Sequence, residues 1–202
     1  MQYCSDSTTN FKKNNYAAVV KNIFTLLDHS HLWNNRHLTL TKSVTPKTLL
    51  SKLHALYDDS WNHALLFSKK LRTYRQIKEK FKMENYLLFL PTVSRVNMTK
   101  LRISSHCLEI EKGRHKYPRV PSDKRFCKTC ESEVEDEYHV IMECSKLKLP
   151  RQNTFKNIQL ISDITNISDN YEKFIFVMKN GAIDTDFGRA LAPLVNEALS
   201  ST

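Results

Sequence analysis

The chain has 202 residues, 41% of them hydrophobic and 26% charged, close to the average for globular proteins and enough for one domain with a real core. An excess of 31 Lys and Arg over 21 Asp and Glu gives a net charge of +10, which favours polyanionic partners over acidic ones. Three glycines argue against Gly-rich phosphate loops and dinucleotide folds, so helices are the default expectation.

Residues 1–10 are polar, after which Tyr16, Val19, Val20, Ile23, Phe24 and Leu27 recur at helical spacing and predict a first helix over 11–27. Within residues 1–25, Asp6, Lys12, Lys13 and Lys21 leave no apolar stretch of the kind a signal peptide needs. Thr45 before Pro46 predicts an N-cap and a first-turn proline, with Leu49, Leu50, Leu53, Leu56 and Tyr57 on one face of a second helix ending near Asp58. Ser60 then starts a third, basic helix through Trp61, Leu65, Leu66, Leu71, Tyr74, Ile77 and Phe81. Pro91 interrupts that pattern, and a fourth helix is expected from about Thr92 to Leu108. Residues 109–125 read as an irregular, strongly positive loop holding Gly113, Pro118 and Pro121. After Pro150 a polar linker leads to two helices expected at 170–179 and 185–199, with Asn180-Gly181 as the stop between them.

This pattern predicts a mainly α protein, a helical bundle with a small Cys₃His zinc knuckle. It divides into an N-terminal helical segment (1–58), basic helices with the zinc-binding module (59–150) and a C-terminal helical tail (151–202). The longest apolar run, Tyr86-Leu87-Leu88-Phe89-Leu90, is far short of the roughly 20 residues a bilayer span requires, so no membrane partner is expected. The expected location is intracellular, nuclear or cytoplasmic, where cysteines stay reduced.

Cys127 and Cys130 form a C-x₂-C pair, the spacing at which a tight turn aims two thiolates at one ion. Eight residues separate Cys130 from His139, and four more lead to Cys144, completing a tetrahedral set for one structural Zn²⁺. Asp136 to Glu143 reads as a short helix, on which residues five apart diverge by about 140°. Cys144 must therefore sit where the helix ends, its last turn relaxed so that the sulfur swings back toward His139. The acidic run Glu133, Glu135, Asp136 and Glu137 is expected as a solvated helix start. Cys107 is expected to be buried on the fourth helix, and Cys4 to be incidental.

Nothing reads as a catalytic centre. Tyr57-Asp58-Asp59 lacks the residue that separates the aromatic from the two aspartates in polymerases, and is expected to end a helix. His106 and His115 show no nucleophile or orienting carboxylate in a recognisable motif. His115, among basic residues, is a better phosphate or base contact.

From Tyr57 to about Arg151 the chain resembles the zinc-binding region that follows the polymerase in LINE-type, jockey-like non-LTR retrotransposon proteins. The resemblance lies in Leu71-Arg72-Thr73-Tyr74-Arg75, in Leu101 to His106 with Leu108 to His115, and in Arg125 to Cys130 with Glu135 to Cys144. It implies a non-catalytic zinc-binding, nucleic-acid-binding module, with a polymerase domain as partner in the parent element. The endonuclease and polymerase of an intact element do not fit within 202 residues, which points to a fragment or remnant without polymerase activity. Residues 66–100 carry nine Lys and Arg against Glu79 and Glu84. The expected partner is RNA or DNA, held mainly through phosphates, and the candidate contacts are Arg72, Arg75, Arg102, Lys112, Arg114, His115, Lys116 and Arg119. The alternatives are a protein-interaction or structural appendage, for which the face of Trp61, Leu65, Tyr74, Phe81, Tyr86 and Phe89 speaks, and a decayed reading frame.

Overall fold

Contacts divide the chain between His63 and Ala64, and the computed structural model describes residues 16–34, 46–131 and 133–200. The first unit holds α1 (Tyr16–Leu26), packed on α2 (Ser30–Asn34), with Ala17 and Leu27 buried. The expected start of the first helix, the Thr45 cap and Cys4 lie outside the described residues. Helix α3 runs unbroken over Pro46–Phe67, so Asp58 and Asp59 lie within a helix and no boundary falls at 58. It ends where the Ser68 hydroxyl accepts the Leu71 N–H at 3.4 Å, a side-chain acceptor competing with the helical one. Of the basic helix expected from Ser60 to Phe81, residues 60–67 continue α3 and only the single turn of α4 (Tyr74–Ile77) forms beyond it.

The second unit is a helical bundle built from α5 (Tyr86–Phe89), α6 (Thr92–Arg102), α7 (Glu109–His115), α8 (Lys148–Gln159), α9 (Asn170–Ile183) and α10 (Thr185–Ser200). Helix α10 is central and packs against α6, α8 and α9. Its Leu191, Leu194 and Val195 meet Met98 and Leu101 of α6, Ile158 of α8, and Phe174, Val177 and Met178 of α9 in one buried cluster. Each such side chain removed from water contributes roughly 1.5–3 kcal/mol. The segment expected as a tail is thus part of the core, continuous with the knuckle residues Cys127, Ile141 and Cys144. Asn97 and Asn196 pair at 3.0 Å, and Asn196 donates to the Ser94 hydroxyl at 3.0 Å, which fixes α6 against α10.

Two loop expectations become helices. Helix α7 forms inside the segment expected to be irregular, with Gly113 as an interior residue. Helix α8 occupies the expected linker, because Pro150 sits in its first turn, where no intrahelical N–H bond is required. Asn180-Gly181 does not stop α9 either. A Cβ on Gly181 would lie 2.6 Å from Leu191, and one on Gly188 would lie 2.7 Å from the Gly181 carbonyl, so these glycines serve the close approach of α9 and α10. Asp169 caps α9 by accepting the Glu172 N–H at 2.7 Å, and Asp184 alone joins α9 to α10, accepting the Phe187 N–H at 2.8 Å. Among the described residues there is one isolated bridge, Phe126 with Val134, and no helix is long and apolar enough to cross a membrane.

Candidate metal centre and nucleic-acid interface

The Cys127 turn leaves the Phe126–Val134 bridge and is held by the Glu131 N–H donating to the Cys127 carbonyl at 2.8 Å. Asp136 accepts the His139 N–H at 2.9 Å and so caps the turn that follows. From His139 to Glu143 the backbone is π-helical, and the Cys144 N–H donates to the His139 carbonyl at 2.8 Å, a bond between residues five apart. This wider turn is the relaxation that ligands five apart require, and it carries His139 and Cys144 to the same side.

The ligand atoms of Cys127, Cys130, His139 and Cys144 all lie within 4.8 Å of one another, and the Cys127 and Cys144 sulfurs are 4.0 Å apart. Two thiolates on one tetrahedral ion, each at about 2.3 Å, would stand about 3.8 Å apart. His139 is 2% exposed, and neither of its ring nitrogens has a hydrogen-bond partner, an orphaned pair that a metal bond to one nitrogen would satisfy. Burial and the adjacent sulfurs push the Cys144 thiol up to about 11. Cys130, half-buried, receives the Ser145 N–H at 3.5 Å. The donor set and its spacing fit a metal ion closed in by four protein ligands.

Glu137, expected on a solvated helix start, is instead 1% exposed and joins the knuckle to the bundle. Its carboxylate accepts from Arg72 at 2.6 Å, from Thr73 at 3.3 Å and from Ser104, and stands 3.0 Å from His106 Nε2. Burial alone would raise its pKa, but the His106 hydrogen bond, the Arg72 charge and the Ser104 hydroxyl outweigh that and hold it at about 2. His106 thus has an orienting carboxylate after all, shared with a serine that bonds the carboxylate rather than the imidazole.

The eight candidate phosphate contacts separate into three groups. Arg102 is a correction: it is 1% exposed, bonded to Glu84 at 2.5 and 3.1 Å and to the Met178 carbonyl, and lies over the Tyr86 ring, so it ties α6 to α9 and reaches no phosphate. Arg72, Arg114 and Lys116 are engaged with carboxylates, Arg72 with Glu137, Arg114 with Glu111 at 2.8 Å, and Lys116 with Glu109 at 3.2 Å. Arg75, His115 and Arg119 are exposed, and Lys112 is half-buried. Cys107 follows the end of α6 and is exposed, not buried on it. Sequence reasoning did not single out Lys69, exposed beside Arg72, or Arg125, buried beneath α7; Arg125 stands two residues before the first C-x₂-C cysteine but carries no local sign of burial. No protein-family model, curated protein or solved structure matches the chain. The retrotransposon resemblance accordingly stands on its motifs alone.

Proposed function

We propose that the chain is a non-catalytic, zinc-stabilised nucleic-acid-binding module akin to the region that follows the polymerase in LINE-type retrotransposon proteins. The observation that carries it is the four-ligand cluster, in a chain of net charge +10 that leaves Arg75, His115 and Arg119 exposed. Soft thiolates with one imidazole in a closed tetrahedron favour Zn²⁺, and four protein ligands leave no position for a reactive water. Glu143 Oε2 lies 3.7 Å from His139 Nδ1, beyond hydrogen-bond range, so both ring nitrogens remain open to an ion. An intracellular, reducing compartment suits these thiolates. RNA or DNA binds through phosphates, and a polymerase domain is the partner in the parent element.

Two measurements test this reading. Elemental analysis after reducing purification gives one zinc per chain, and Cys130→Ala loses it. Titration with labelled RNA and DNA gives affinity that falls with salt, by about 0.7 in log–log slope for each phosphate contact on single strands and about 0.9 on duplex. Undetectable binding at low salt overturns the nucleic-acid reading in favour of a structural appendage.

A further inference from the structure

A cavity of about 570 Å³ lies between α7 and the segment leading to the C-x₂-C turn, and it gathers Lys69, Arg72, Arg114, Arg119 and Arg125 against the single acid Asp123. Arg125 is 5% exposed, and its guanidinium donates to the Val120 carbonyl at 2.8 and 3.0 Å and to the Ile110 carbonyl. Among the described residues no carboxylate pairs with it. Burying a guanidinium on neutral acceptors alone is costly, and the sequence makes room for it: a Cβ on Gly113 would lie 2.7 Å from the Arg125 side chain. Arg114 spends one Nη on Glu111, while its Nε is buried without a hydrogen-bond partner. Lys69 and Arg119 are exposed at the rim. Burial first, then the charges of Arg119 and Arg114, hold the Arg125 pKa below its ordinary value, with Glu111 offsetting them only in part.

Planar guanidinium forks match the oxygens of a phosphoryl group, and a concave wall focuses their field on one point. Val120 and Pro121 add an apolar edge against which a sugar or base can lie. We propose that this cavity is a phosphoryl-oxyanion site, with Arg114, Arg119 and Lys69 supplying free donors and Arg125 the buried charge. The chemistry is shared by a phosphate of a polynucleotide and by free phosphate; the first source rests on the nucleic-acid reading above.

The test uses the full, zinc-loaded chain and a Lys69→Ala/Arg119→Ala double variant, both changes being on exposed side chains. Inorganic phosphate is titrated while the arginine Nε–H resonances of Arg114 and Arg125 are followed by NMR. A labelled single strand is titrated at several salt concentrations. Saturable shifts at both arginines, weakened at least tenfold in the double variant, are expected, with a salt slope lower by about 0.7 per lost contact. Resonances that phosphate leaves unmoved overturn the site. If the strand binds with the same slope in the double variant, the nucleic-acid reading survives and this cavity is not its phosphate seat. A phosphate response without any strand binding keeps the site, assigns free phosphate as its source, and removes the nucleic-acid reading.

Discussion

At Ser104 the backbone enters the left-handed region, with φ of 53°, just beyond the end of α6. The Ser105 N–H returns to the Lys100 carbonyl at 2.8 Å, the closing bond of a Schellman-type cap whose left-handed residue is usually glycine. Serine is tolerated there because its hydroxyl donates to the buried Glu137 carboxylate. Ser104→Ala should keep the strained backbone and lose the bond, destabilising the fold by roughly 1–3 kcal/mol, and Ser104→Gly should cost less because it relieves the strain. Glu137→Ala leaves Arg72 and His106 without their shared anion and should cost about 3 kcal/mol, the lower end of the range for breaking a buried pair, since Arg72 is one-third exposed. Urea titration of the three variants checks the ranking; equal midpoints for Ser104→Ala and wild type would show that the hub is not structural. At this scale the four candidate ligands were legible, because thiol and imidazole spacing is a local signal. Arg102 was not: Glu84 and Met178 stand 18 and 76 residues away from it, and a cation written among cations carries no mark of its burial.

Among the elements, those with local punctuation were readable. Helix α6 starts at Thr92 after Pro91, α9 starts behind the Asp169 cap, and α10 starts at Thr185, all where the sequence placed them. Helices α7 and α8 escaped for a common reason: α7 buries Glu109 and Glu111 by pairing them with cations, and α8 buries only Thr154 and Ile158, so neither shows an apolar stripe. The α9–α10 contact turns on the two glycines, and Gly188→Ala forces the helices apart against the Gly181 carbonyl and the Phe89 ring. A loss of about 1–3 kcal/mol is expected, with the helix content retained, as thermal unfolding followed by circular dichroism would register. The π-helical turn depends on a different constraint. Stripping the metal with a chelator should remove amide-exchange protection first over 127–144, while α9 and α10 stay protected. Uniform loss across the unit would instead mean that knuckle and bundle form one cooperative block.

For the molecule as a whole, net charge points to a polyanionic partner but does not locate the surface that would meet it. A net +10 says nothing of which cations are spent internally, and here Arg72, Arg102, Arg114 and Lys116 are bonded to acids. Asp58 and Asp59, in the middle of α3 and exposed, are placed on a helix rather than at the strand turn a two-metal centre uses. Purified chain should therefore extend no primer and cut no template with Mg²⁺ or Mn²⁺, and activity abolished by Asp58→Asn would contradict this.

The bundle's most distant partners also set a timetable for synthesis. Ser94 and Asn196, whose bond helps fasten α6 to α10, lie 102 residues apart, a span the ribosome needs roughly 5 to 20 s to make. Cys127 and Cys144 are separated by only 17 residues and emerge within roughly 1 to 3 s of each other. The knuckle is thus ready to capture its ion well before the apolar face of α6 can be covered. With a metal bound as proposed, this loop on a growing chain becomes a fixed point of the second unit before α10 has been made.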